Sequence, residues 1–223
     1  EATDSAGDHN RAFGADANIR LFRQVDWNSF AVVSETPGKT KGEYTWRTSF
    51  NYEGQFVHFK VASLEIGDGF QDDLAYYRRT GVRKWFIDWG LRPRPQWWKE
   101  RGVRELHPHI TWNYYDGLAG NTIGKNLHTA NSWFFSGGGF IELSANARYD
   151  FITDSLRLNR GDPKAQRLAP GGYQWTEWRL MYSSDASKAL ALNLNASTGG
   201  LWSGTQNAVN TTLTWRPSYQ VRV

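Results

Sequence analysis

Residues 140–151 alternate without a break, with Ile141, Leu143, Ala145, Ala147, Tyr149 and Phe151 on one side and Glu142, Ser144, Asn146, Arg148 and Asp150 on the other. Successive side chains of an extended chain point to opposite faces, so this segment predicts a β-strand with one apolar and one polar face. The pattern recurs. Over 44–52, Tyr44, Trp46, Thr48, Phe50 and Tyr52 oppose Thr45, Arg47, Ser49 and Asn51, and over 14–22, Ala15, Ala17, Ile19 and Leu21 oppose Asp16, Asn18 and Arg20. Further strands are expected at 27–36, 56–65, 82–91, 104–115, 125–135, 173–182, 188–198, 207–216 and after Ser218, about twelve in all.

The connections between these segments alternate in length, as the two ends of a barrel require. Tight turns are expected at Val25-Asp26, 53–55, 136–139, 183–187 and Arg216-Pro217. Long loops are expected at 37–43, 66–80, 116–124, 152–171 and 199–206. The stretch 92–102 falls on the tight-turn side although it is long, and its Pro93, Pro95, Trp97 and Trp98 suit a folded turn at a membrane interface. Tight turns would then be periplasmic and long loops extracellular.

Composition separates the two architectures that alternate in this way, a soluble β-sandwich or barrel and a membrane barrel. Mean hydropathy is low, -0.63, and apolar residues make up 39% of the chain, yet 15% is aromatic, with 12 Trp, 10 Tyr and 12 Phe. No run of ~18 apolar residues is present, so a spanning helix is excluded. A barrel strand needs only every second residue apolar, and low average hydropathy is expected for it. Girdle aromatics sit near strand ends on the apolar face; the candidates are Tyr44, Tyr52, Trp85, Trp89, Trp112, Tyr114, Trp175, Tyr182 and Trp215. The expected fold is an all-β, antiparallel, up-and-down transmembrane β-barrel over 11–223, whole or part of a larger barrel, behind a flexible segment 1–10. The chain has no cysteine, which excludes disulfides and thiolate metal sites. Glu1-Ala2-Thr3-Asp4-Ser5 has no basic region leading into an apolar stretch, so no secretion signal is read in this chain.

Four strings in order, Phe13-Gly14-Ala15-Asp16-Ala17-Asn18-Ile19-Arg20, Gly67-Asp68-Gly69-Phe70, Arg78-Arg79-Thr80-Gly81-Val82-Arg83 and Leu91-Arg92-Pro93-Arg94-Pro95, resemble a known family. It is the C-terminal barrel domain of unknown function that follows a family 9-type carbohydrate-binding domain in Gram-negative bacteria. The first half of the chain carries most of the resemblance. It implies an outer-membrane location and no established reaction. It also implies that both ends are cut, with the sugar-binding domain absent.

Lumen-lining residues are expected on the polar faces: Asp16, Asn18, Arg20, Arg47, Asn51, Arg83, Glu142, Asn146, Arg148 and Asp150. Between Arg78 and Arg104 nine basic residues meet two acidic ones, Asp88 and Glu100. Such a stretch suits an anion-favouring pore or a lipid-phosphate rim, but lumen pairing of Arg83 and Lys84 with carboxylates such as Glu142, Asp150 or Glu177 is the favoured reading. The net charge of +4 is interleaved with aromatics rather than grouped on a helix, so no nucleic-acid partner is expected. In the loop after Ile66, Asp68, Phe70, Asp72 and Asp73 are candidates for a plug; oxygen ligands and glycines are there for calcium, but the EF-hand spacing is not.

His107 and His109 share a strand face and His128 lies on the next strand, a conceivable zinc trio. Pro108 interrupts the ladder and no fourth ligand is spaced for it, so neutral histidines, no metal and no cofactor are expected. No nucleophile elbow, HExxH helix or P-loop occurs, and no enzyme is expected. Function is therefore read as a pore, transporter or anchor in contact with outer-membrane lipid. The alternative is a carbohydrate-binding or glycan-processing protein in which Trp97, Trp98 and Trp202 stack on sugar rings, an oligosaccharide or small solute being the ligand.

Overall fold

A computed structural model describes residues 2–3, 9–39, 41–73, 79–158, 161, 164 and 166–218. It is all-β and antiparallel, with strands hydrogen-bonded in chain order and one two-stranded excursion. The strands are β1 (Ala2–Thr3), β2 (His9–Leu21), β3 (Val25–Glu35), β4 (Tyr44–Glu53), β5 (Val57–Ile66), β6 (Val82–Leu91), β7 (Val103–Gly117), β8 (Thr122–Phe135), β9 (Phe140–Ile152), β10 (Leu156–Arg157), β11 (Arg167–Leu168), β12 (Gly171–Ser183), β13 (Leu190–Leu201) and β14 (Gly204–Trp215). The main sheet runs β1 to β9 and then β12, β13 and β14, while β10 and β11 pair with each other. This is the up-and-down order that short hairpins generate, because an antiparallel neighbour needs only a tight turn. The strand expected after Ser218 lies outside the described residues.

Period-2 patterning places every long strand within a few residues of its expected position. Turn positions differ more. The first hairpin turns at 22–24, with Phe22 and Arg23 in the left-handed region (φ 50° and 63°), so Val25 and Asp26 are already in β3. Neither residue type advertises that conformation. The connections expected to be long at 116–124 and 199–206 are short. Strands β7 and β8 are joined by 118–121, and β13 and β14 by Trp202-Ser203, with Trp202 at φ 50°. Gly199 and Gly200 stay in the strand because the neighbouring strand leaves no room for a side chain; a Cβ on Gly199 would stand 2.3 Å from the Thr176 carbonyl oxygen. Glycine there serves close approach rather than a loop. The segment 92–102 holds the one helix among the described residues, α1 (Gln96–Lys99), begun by Pro95, whose fixed φ suits a helix start. Pro108 does not break β7, which is continuous from Val103 to Gly117.

The chain forms two compact units. The first comprises Glu1–Gly54, His58–Asp88 and Trp112–Gly124; the second comprises Gln55–Val57, Trp89–Thr111 and Lys125–Val223. In the first unit, the loop after β5 is laced to its neighbours. Gly67 N–H donates to the Tyr44 carbonyl (2.8 Å) and Gly69 N–H to the Gly42 carbonyl (3.2 Å). The Asn10 amide donates to Thr36 Oγ1 and the Gln71 carbonyl and accepts from Asp73 N–H. Asn10, expected in a flexible leader, is thus buried, and β2 begins at His9.

Candidate functional site

Both units reverse the usual arrangement of a soluble protein, in which apolar side chains are inside. Among the described residues the buried apolar side chains are Phe70, Ala130, Leu168, Trp175 and Ala191 alone, whereas eleven polar residues are buried, including Ser49, His58, Glu65, Ser132, Ser144 and Asn146. Large apolar side chains stand exposed on strand after strand. Soluble domains do expose apolar atoms, but contiguous apolar sheet faces over a shielded polar face are informative.

In the second unit the register shows how this arises. Across β9, β12, β13 and β14, Leu143 pairs with Leu180, Leu180 with Ala196 and Ala196 with Val209. Leu143 is 52% exposed, Trp178 61% and Val209 70%. One position away the chain is polar and covered: Ser144 and Asn146 are each 4% exposed. Glu177 binds two guanidinium groups there, with Arg179 Nη2 at 2.7 Å and Arg148 Nη2 at 3.3 Å. Ser132 Oγ donates to Glu142 Oε2 at 2.8 Å. The expected lumen residues Glu142, Asn146, Arg148 and Asp150 therefore share one shielded polar face.

Alternation in the first unit is the same. On the apolar side Trp27 stacks on Phe50 (6.1 Å, 7°) and Trp112 on Tyr114 (5.5 Å, 27°). These two residues, with Phe50, Val61, Trp85 and Ile87, line a continuous apolar groove. On the polar side Arg47 and Asn51 alternate with buried Thr45 and Ser49. His58 Nδ1 lies 3.3 Å from Asp88 Oδ2. Lys84 sits over the rings of Phe86 (5.7 Å) and Tyr115 (5.2 Å), and Lys60 over Phe86 (5.9 Å). Within the basic stretch Lys84 is thus engaged by rings, and in the second unit Arg94 is paired with Glu105 at 2.5 Å; Arg78 lies outside the described residues.

Asp16, Asn18 and Arg20 share the face of Arg47, Ser49 and Asn51, through the pairings Asp16 with Phe30 and Phe30 with Arg47, Asn18 with Asn28 and Asn28 with Ser49, and Arg20 with Asp26 and Asp26 with Asn51. They are exposed there, because β2 pairs with β1 only at His9 and Asn10. They bond locally, Asn18 to Asp16 and Arg20 to Asp26 through two hydrogen bonds of 2.7 and 3.1 Å. Arg83 has the parity of Trp85, Ile87 and Trp89, so it stands at the end of the apolar face rather than among the polar lining. Its partner is neither Glu142, Asp150 nor Glu177 but Glu65, which it grips at 2.6 Å through both Nε and Nη2, while Tyr44 OH donates to the same carboxylate at 2.5 Å. Trp175 and Tyr182 differ in parity and lie on opposite faces: Trp175 pairs with Arg148 on the polar side, packs on Trp202 (6.0 Å) and is 9% exposed. Trp178 is the exposed aromatic of β12 that the sequence reading missed; its parity with Tyr182 was the available signal. Tyr44, Tyr52, Trp85, Trp89, Trp112, Tyr114 and Trp215 share strand faces with the exposed apolar residues of their own strands.

In the loop after β5, Phe70 is buried, Asp68 contacts the turn at Gly81, and Gln71 Nε2 donates to Asp73 Oδ1. Trp97 is exposed, with Trp98 edge-on at 5.0 Å and the Arg101 guanidinium 5.8 Å from its ring, whereas Trp202 is half-buried. His107 stacks on His109 (4.6 Å) and His109 lies against His128 (5.2 Å).

Comparison with protein-family models, with curated proteins and with solved structures finds no match.

Proposed function

We propose that this chain forms a transmembrane β-barrel, or a large part of the wall of one, in a Gram-negative outer membrane. There it acts without catalysis as a pore or transporter for a small solute or as an anchor. The observation that carries the reading is the inverted burial: Leu143, Trp178 and Val209 face outward while Ser144 and Asn146 on the alternate positions are covered. Water disfavours an apolar sheet face of this extent, whereas lipid favours it, and charges such as Glu177, Arg148 and Arg179 are held off that face and paired. Strand length agrees. Strand β9 has 13 residues and β12 has 13, above the ~9–11 that a tilted strand needs to cross the hydrocarbon.

The testing experiment is folding with and without lipid. The chain is expected to become a β-rich, heat-modifiable and protease-resistant species in detergent or phospholipid vesicles and to aggregate in plain buffer. A monodisperse, cooperatively unfolding protein in plain buffer would refute the reading. Planar-bilayer conductance then separates the two roles, since an open-channel current eliminates a pure anchor.

A further inference from the structure

On the polar face of the second unit, three strands bring electron-rich groups to one point. His109 Nδ1 lies 3.1 Å from the backbone carbonyl oxygen of His107, and His128 Nδ1 lies 2.8 Å from Asn146 Oδ1. Carbonyl and carboxamide oxygens only accept, so with the Asn146 amide in this orientation each Nδ1 carries a hydrogen, and an imidazole in its neutral form then has its lone pair at Nε2. Those two Nε2 atoms face one another at 3.2 Å. Glu142 Oε1 stands 4.0 Å from the same His128 nitrogen. In the neutral form two lone pairs and a carboxylate converge, an arrangement that a cation between them relieves, whether a shared proton or a metal ion.

We propose that this point binds a divalent transition-metal cation of the zinc or copper type, ligated by His109 Nε2, His128 Nε2 and the Glu142 carboxylate. With metal–nitrogen bonds of ~2.0–2.1 Å and tetrahedral angles, two ligating nitrogens stand about 3.3 Å apart, close to the separation here. Imidazole with carboxylate is the donor set such ions favour. Metal-bound histidines donate their other N–H to a carbonyl or similar acceptor, which is what the His107 carbonyl and Asn146 provide. Ser132 Oγ holds Glu142 Oε2 at 2.8 Å, leaving Oε1 to turn onto the ion. Among the described residues no three such side chains already stand at ligand distance, so Glu142 closes on the ion when it binds and water completes the shell. His107, stacked on His109 at 4.6 Å, fixes the plane of that ring. The site draws on β7, β8 and β9, so occupancy pins three successive strands. It rests on side-chain geometry alone and is independent of the membrane reading.

The test is a Zn²⁺ titration by calorimetry, with Cu²⁺ as a second probe read by nitrogen hyperfine splitting in electron paramagnetic resonance. It uses the full chain in whichever medium, detergent or buffer, gives the folded sheet, so that failure of the membrane reading leaves this test intact. One equivalent of Zn²⁺ is expected to bind in the micromolar range, and Cu²⁺ to show two equivalent imidazole nitrogens. His109→Gln or His128→Gln should weaken binding at least ~100-fold. Asn146→Leu, which removes no ligand, should weaken it ~10–100-fold, and His58→Gln in the other unit should leave it unchanged. A Zn²⁺-dependent rise in the unfolding midpoint of the unmodified chain gives the same answer if a variant fails to fold. Absence of both binding and midpoint shift up to millimolar Zn²⁺ overturns the proposal; the Asn146 amide is then turned so that its Nδ2 donates to His128 Nδ1 and the imidazoles share an ordinary N–H···N bond. Binding undiminished in the His109→Gln, His128→Gln double variant overturns it as well.

Discussion

Replacing Leu143 by Arg separates the lipid-facing reading from a soluble one, because the two predict opposite outcomes. Leu143 is 52% exposed on the apolar side of β9. In water such a change touches almost nothing and stays within about 0.5 kcal/mol. In a bilayer an arginine on the lipid face costs ~2–4 kcal/mol at the midplane and ~0–1 near the interface. Leu143 is three positions from Asn146, the middle residue of β9 (Phe140–Ile152). At ~3.4 Å per residue that is about 10 Å along the strand, and at a tilt of ~45° about 7 Å in depth, roughly halfway to the interface. A cost of about 2 kcal/mol follows, a ~30-fold loss in the folding equilibrium. The assay is denaturant unfolding in phospholipid vesicles followed by tryptophan emission and by gel mobility, with Gln206→Arg, exposed beside the Trp202 turn, as the near-neutral control. A Leu143→Arg chain as stable as the unmodified one, or more soluble and equally folded in buffer, would refute the argument.

Other outcomes follow from the same structure. Lipids carrying a bromine quencher should quench Trp178, at 61% exposure, far more than Trp175, at 9%; single-tryptophan variants measure this, and equal quenching would mean the two faces are assigned wrongly. Glu177→Gln weakens the hold on Arg148 and Arg179, each about a third exposed, and is expected to cost about 1–3 kcal/mol in denaturant midpoint measurements. Gly67→Ala would put a Cβ 2.0 Å from the Gly42 carbonyl oxygen, so the loop must detach; it should become a new protease site and lose about 1–3 kcal/mol. The turn after β12 should loosen in acid. Asp185 is held below its ordinary pKa by the Ser187 hydroxyl and then the Ser187 N–H, both bonded to Oδ1, with Lys188 adding to the effect. Its contribution is therefore fully present above the ordinary aspartate value of about 3.9 and disappears as pH falls through the lower folded value. Amide exchange of Ser187 should accelerate over that window, and Asp185→Asn should abolish the pH dependence.

What the sequence determined by itself was the local geometry. A period of two is a property of the extended backbone, so Ile141 to Phe151 and Tyr44 to Tyr52 could be read as strands without knowing their neighbours, and short connections implied the antiparallel order. The same parity carried the face of every residue, and two errors came from not applying it: Arg83 shares the phase of Trp85, and Trp175 does not share that of Tyr182. Partners were another matter. That Glu65 would take Arg83 and Tyr44, that Glu177 would take Arg148 as well as Arg179, and that His109 would meet His128 nitrogen to nitrogen depends on the register between neighbouring strands and on side-chain rotamers, which periodicity within one segment does not fix. Turn position was likewise decided late, since Phe22 and Trp202 adopt left-handed backbone that their side chains disfavour and only the closing ladders impose. Local periodicity is set by covalent geometry within one segment; pairing and burial are set by which segments meet, and only the tertiary structure decides that.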